Sequence, residues 1–149
     1  MIIRKALCSD AKKIAENIMF LAEETEGRKI ESNVAIDGSD QVLSEKQNGF
    51  YLVAEHKKEI IGQIFITEEW SDWRNQSIWW MHRIYVKKPW RKKGVLKSLL
   101  KKAKEMTSNE NVYALRLYVA QKNQKAITIY KKLGFTDTSF RILEYEKIV

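Results

Sequence analysis

The spacing of apolar residues changes several times along the chain, and each change marks an element. Ile2 to Leu7 is a short apolar run suited to an opening strand. Ser9 or Asp10 then caps a helix in which Ala11, Ile14, Ala15, Ile18, Met19 and Ala22 recur at helical spacing, ending near Thr25 to Gly27. Residues 28–48 carry a weaker signal, read as a loop and a short helix near Ser39 to Lys46. From Phe50 the pattern is strand-like: FYLVAEH and IIGQIFITEEW form an antiparallel hairpin about the charged turn His56 to Glu59, and IWWMHRIYV, 78–86, returns as a third strand. Val95, Leu96, Leu99, Leu100, Ala103 and Met106 then gather on one side of a helix whose other side carries Lys93, Lys97, Lys101 and Lys104. YALRLYVA, 113–120, is a strand. Asn123 caps a helix bearing Ala126, Ile129, Tyr130 and Leu133 that stops at Gly134, and Phe140 to Tyr145 is expected to be a last strand.

This order predicts a mixed α/β domain spanning residues 1–149. Its central sheet is mostly antiparallel and twisted, with one parallel strand–helix–strand crossover between 86 and 113 and helices on both faces. The natural crevice lies at the carboxyl end of the strand 78–86. That strand runs into a basic turn after Pro89, and the turn opens a helix whose first N–H groups lack partners, a seat for an anion such as phosphate.

Charge sharpens this picture. Residues 87–104 hold nine basic side chains and no acidic one, whereas the whole chain has 27 − 19 = +8, so the remainder stands at 18 − 19 = −1. The basic excess belongs to one segment. It suits a polyanion, either a nucleotide cofactor or a nucleic acid, and the plain alternative is a solvated lysine face. No nucleic-acid motif accompanies it, and aromatic residues do not interleave with the lysines. An apolar content of 44% excludes a mainly disordered chain. A lone cysteine, Cys8, permits no internal disulfide and no cysteine-based zinc site, so no metal is expected and a reducing compartment is. Without a signal-peptide run or a span-length apolar stretch, the expected location is cytoplasmic, with no membrane partner.

Two motifs in this frame resemble the GNAT superfamily of N-acetyltransferases. One is Ile84-Tyr85-Val86 followed by Arg91-Lys92-Lys93-Gly94-Val95-Leu96, similar to that family's strand end and [RQ]xxGx[GA] turn, with leucine where glycine or alanine is usual. The other is Asn123, Ala126, Tyr130, Gly134 and Phe135. The stretches TEGR (25–28) and EWSDWRN (69–75), together with WW before the cofactor strand, look like a bacterial-type subgroup. The resemblance covers nearly the whole chain and implies the GNAT acetyltransferase fold. It also implies transfer of an acetyl group from acetyl-coenzyme A (acetyl-CoA) to a primary amine, directly within a ternary complex.

Residue by residue, the resemblance implies that Arg91, Lys92, Lys93, Gly94, Val95 and Leu96 hold the pyrophosphate. Ile84, Tyr85 and Val86 would pair with pantetheine amides, and Asn123 and Tyr130 would touch the cofactor arm. A lysine-like amine, pKa about 10.4, must lose a proton at a cost near 4.6 kcal/mol at pH 7. His82 is the candidate base, with Glu68 and Glu69 at the end of the preceding strand as the next candidates, one of them acting through water. Tyr130, at the family's tyrosine position, is the candidate donor to the departing sulfur, and a bulge near Ile84 would free an N–H for the oxyanion. The stretch 23–72 carries twelve acidic and five basic residues, with tryptophans close by, so Glu24, Glu26, Glu68, Glu69, Trp70 and Trp80 are candidates for receiving a small-molecule or peptide amine. Tryptophans at sheet positions equally suit the core or a subunit interface, which leaves a homodimer open. Two rival readings remain: a basic nucleic-acid-binding module, and a non-catalytic coenzyme A sensor.

Overall fold

A computed structural model describes residues 1–147. The chain divides into two compact units, Met1–Tyr118 and Val119–Val149. The first holds strands β1 (Ile2–Lys5), β2 (Phe50–His56), β3 (Glu59–Ser71), β4 (Gln76–Val86) and β5 (Val112–Leu117), with helices α1 (Ala11–Glu26), α2 (Ser32–Leu43) and α3 (Val95–Ser108). Its sheet has the order β1-β2-β3-β4-β5. The first four strands pair antiparallel, and β4 pairs with β5 in parallel across the α3 crossover.

Adjacent residues of β3 show how helices cover both faces. A Cβ added at Gly62 would lie 2.9 Å from Val95 Cγ1 and 3.2 Å from Leu99 Cδ1, so this glycine lets α3 press against the strand. The next residue, Gln63, points the other way and accepts a hydrogen bond from Asn17 of α1 at 2.9 Å. On the α1 face Ile14, Val42, Tyr51, Val53 and Ile60 form a buried cluster joined by Ile18 and Phe65. The α3 stripe read from sequence is buried as expected at Val95, Leu99, Leu100 and Ala103.

The second helix is longer and begins earlier than its sequence signal. Residues 32–43 include Gly38 and several weak helix formers, yet Ala35, Ser39 and Val42 recur at helical spacing and are buried. Packing against α1 outweighs local propensity here.

In the second unit, α4 (Gln124–Lys132) starts as expected, with the Asn123 carboxamide oxygen accepting from the Ala126 N–H at 3.2 Å. The expected strand Phe140–Tyr145 is absent from the described structure: the backbone there forms no strand, and Leu143 and Tyr145 are 91% and 96% exposed. Its apolar pattern changes phase between Ile142 and Leu143, so no single strand face collects all four side chains. Among the described residues, no helix is long and apolar enough to cross a membrane, and no cluster of three or more His, Cys, Asp and Glu is placed to hold a metal.

Candidate active site

The site begins where β4 parts from its neighbour. Pairing with β5 ends at Met81↔Leu117, while β4 continues to Val86. Among the described residues no strand pairs with that outer edge, so the carboxyl end of β4 offers backbone groups to a ligand along one side. On the inner side the register with β3 shifts: Phe65 faces His82, but Gln63 faces Tyr85, which leaves one extra residue in β4. Arg83 takes up that excess with φ 49, a left-handed conformation rare for a bulky side chain. The bulge, at Arg83 and Ile84, falls next to the position read from sequence.

Beyond Val86 the chain passes through a 3-10 turn, Lys88–Trp90, into the basic bend. Lys92 has φ 61 and Gly94 φ 84, and Gly94 caps α3 with open space where a Cβ would sit. Among the described residues no backbone hydrogen bond engages the N–H groups from Lys92 to Lys97. These amides and the positive end of α3 make a candidate seat for an anion, with the exposed Lys92 and Lys93 beside it. Val95 is buried beneath the bend and Leu96 is half-buried, so the leucine is partly withdrawn from solvent.

Arg91 behaves differently from its lysine neighbours. Its Nε donates to the Val86 carbonyl at 2.8 Å, and its two Nη groups donate to the Glu24 carboxylate at 2.6 and 2.7 Å. The guanidinium lies 5.5 Å from the Tyr85 ring centroid. The hydrogen bond from Arg91 holds Glu24 below the usual carboxylate range despite partial burial.

On the α1 face, β3, β4 and β5 bring a polar and aromatic group together. His82 lies between the rings of Phe65 and Tyr118, at 5.6 and 5.7 Å, and its Nε2 pairs with Thr67 Oγ1 at 2.8 Å. Burial, with a smaller push from Arg83, holds the imidazole below its ordinary range, so it is neutral near pH 7. Trp80 Nε1 donates to Glu69 Oε1 at 3.0 Å, and the Trp80 ring stands 6.4 Å from Tyr118. Tyr118, Thr67 and Phe65 were not singled out from sequence. The parallel register was the missing information: with Trp80 opposite Arg116, the next outward pair is His82 and Tyr118.

The remaining expected residues are dispersed. Glu68 faces the opposite side of the sheet from Glu69, lining a cavity of about 220 Å³ with Phe50 and Trp79. Trp70 is 58% exposed near the β3–β4 hairpin end, and Glu26 is exposed at the end of α1. Glu24 lines a hollow of about 640 Å³ with Glu16, Phe20, Glu23, Tyr85, Lys87, Lys88 and Pro89. In the second unit, Tyr130 packs edge-on to Phe135 at 6.0 Å, and burial raises its phenol above the ordinary value.

Comparison with known proteins agrees with this geometry. The family model described as "Acetyltransferase (GNAT) family" matches residues 14–135. A solved structure of a possible acetyltransferase from Clostridium difficile 630 is 34% identical, with a TM-score of 0.93, covering 99% of this chain and 98% of that one. A probable acetyltransferase at 20% identity and a TM-score of 0.88, covering 100% of this chain and 99% of the other, shares the fold. A thialysine N-epsilon-acetyltransferase from Bos taurus is 31% identical over 52% of this chain, and the match spans 45% of the cattle protein, less than half its length. The strand end, the bend and the crossover helix thus sit inside a family match covering most of the sequence, and the chain belongs to the acetyltransferase (GNAT) family, a family of acyltransferases.

Proposed function

We propose that the protein transfers an acetyl group from acetyl-CoA to the primary amine of a small molecule or peptide, directly within a ternary complex. The observation that carries this reading is the pairing of an open, bulged β4 end with a bend of unpartnered amides. The residues suit the donor: amides 92–97 with Lys92 and Lys93 for the diphosphate, and the outer edge of Ile84–Val86 for the amide-bearing arm. When bound, the donor supplies an acetyl thioester.

The protein's own groups would do the rest. A backbone N–H at the bulge of Arg83 and Ile84 stabilises negative charge developing on the carbonyl oxygen. His82 accepts a proton from the attacking nitrogen, a role its low pKa permits because the ring is neutral and ready at pH 7. The Thr67 contact sets a condition. His82 serves as a base through Nδ1 only in the tautomer in which Nε2–H donates to Thr67 Oγ1. Tyr130, protonated at pH 7 and raised further by burial, donates a hydrogen bond to the departing sulfur and keeps its proton.

Acceptor binding falls to Trp80, Glu69 and Tyr118, an aromatic and anionic wall suited to an alkylammonium. The cattle relative's name specifies an ε-nitrogen on thialysine, and the acceptor class carried over here is the primary alkylamine. The test is thiol release from acetyl-CoA across a panel of amines, polyamines, amino acids and peptides. Amine-dependent thiol release is expected. Absence of turnover with every amine, alongside salt-dependent RNA binding, would overturn the reading in favour of a nucleic-acid module.

A further inference from the structure

We propose that Glu24 is a positioning residue for the cofactor bend, holding Arg91 against the end of β4 so that the backbone amides with Lys92 and Lys93 meet the phosphates. This inference rests on the acetyl-CoA reading above and assigns Glu24 a task distinct from acceptor recognition.

Three observations converge. First, the guanidinium is committed along its Nε, Nη1 and Nη2 donors, to Val86 O at 2.8 Å and to both Glu24 oxygens at 2.6 and 2.7 Å. A two-pronged contact of this kind fixes a plane as well as a distance. Arg91 therefore ties three segments together: the strand end, the bend it opens, and α1, which is 67 positions away in sequence.

Second, the bend needs support from outside. Lys92 and Gly94 both adopt positive φ on either side of Lys93, and the amides they turn outward have no partner to hold them among the described residues. The bend's own contacts are few, with Lys93 Nζ 5.5 Å from the Trp90 ring centroid and the Gly94 carbonyl accepting from the Ser98 N–H at 3.0 Å, so its ends contribute to its shape. Val95, buried beneath α3's first turn, anchors one end, and Arg91 anchors the other.

Third, Glu24 stands where a carboxylate serves its own helix poorly. It lies in the last turn of α1, close to the negative end of the helix dipole, and that turn contains no basic residue. The compensating cations come from the bend: Arg91 in direct contact, and Lys88 with its Nζ 3.9 Å from Oε1. Glu24 thus has its partners at the entrance to the anion seat.

The experiment is calorimetric titration with coenzyme A, alongside steady-state kinetics, on the wild type, Glu24→Gln, Glu24→Asp, Arg91→Ala and the Glu24→Gln/Arg91→Ala double variant. The expected result is a loss of coenzyme A affinity in Glu24→Gln of about two- to fivefold, the scale of one well-formed ion pair. KM for acetyl-CoA should rise in step, while kcat and the acceptor KM stay unchanged at saturating acetyl-CoA. Glu24→Asp should recover part of the affinity, and the double variant should be no worse than Arg91→Ala. Unchanged coenzyme A affinity in Glu24→Gln and Glu24→Asp, or a rise confined to the acceptor KM, would overturn the assignment while leaving the acetyl-CoA reading intact. A wild-type protein that does not bind coenzyme A would remove both.

Discussion

Replacing Gly94 with alanine tests the bend with a perturbation whose cost is separable. Gly94 has φ 84, and a Cβ there meets no atom within 4 Å, so crowding contributes nothing. What remains is the left-handed conformation, which costs an L residue about 1–2 kcal/mol. Alanine also restricts the unfolded chain, offsetting roughly 0.5 kcal/mol, so the net loss is near 1 kcal/mol. That loss has two places to appear. If the free bend keeps its shape, the melting temperature falls by about 2–4 °C and coenzyme A affinity is unchanged. If the free bend relaxes to negative φ, the melting temperature holds or rises slightly and affinity falls about five- to thirtyfold, because binding must restore the strained form. Either way, the stability of the coenzyme A complex relative to the unfolded chain drops by the same amount. Thermal melts with and without saturating coenzyme A, combined with titration calorimetry, measure both parts. A complex as stable as the wild type, with neither part changed, would refute the claim that the ligand rests on amides held in this conformation.

Three further outcomes are expected. Tyr130→Phe should lower kcat by about 10²-fold or more while leaving KM for acetyl-CoA and the melting temperature close to wild type; an unchanged kcat would remove Tyr130 from the chemistry. His82→Gln should abolish an acidic limb of the pH–rate profile that lies below 6.5, since burial depresses this group. The stability linked to His82 should be complete above its unfolded pKa and decline as pH falls through that value toward the lower folded one, and a pH series of melts on both proteins checks the sign. Asp10→Ala should cost about 2 kcal/mol in urea unfolding, because the buried carboxylate accepts from Arg4 at 2.8 and 3.1 Å and from the Leu7 N–H at 2.7 Å.

The legible parts of the chain were those in which local pattern and tertiary role coincide. The lysine-faced helix, the Asn123 cap and the strand hairpin each carry their signal within about twenty residues, and each is in place. The start of α2 was obscured because Ser32 to Gly38 reads as a loop until Ala35 is known to pack beneath it. The segment 140–145 misled in the opposite direction: strand-forming residue types are there, but their apolar pattern changes phase and the segment is not a strand. Within the site, the bend and the bulged strand end were legible from a motif. Tyr118 beside His82 and Glu24 on Arg91 were not, because one depends on the parallel register and the other on where α1 ends over the sheet. The acids of the first half looked alike in sequence, yet the fold gives Glu24, Glu68 and Glu69 three separate surroundings.

A crystal structure with coenzyme A tests the site most directly. Diphosphate oxygens are expected about 2.7–3.2 Å from backbone nitrogens between Lys92 and Lys97, with the thiol arm alongside Ile84 to Val86. Coenzyme A ordered elsewhere on the protein, with those amides facing only solvent, would contradict that placement.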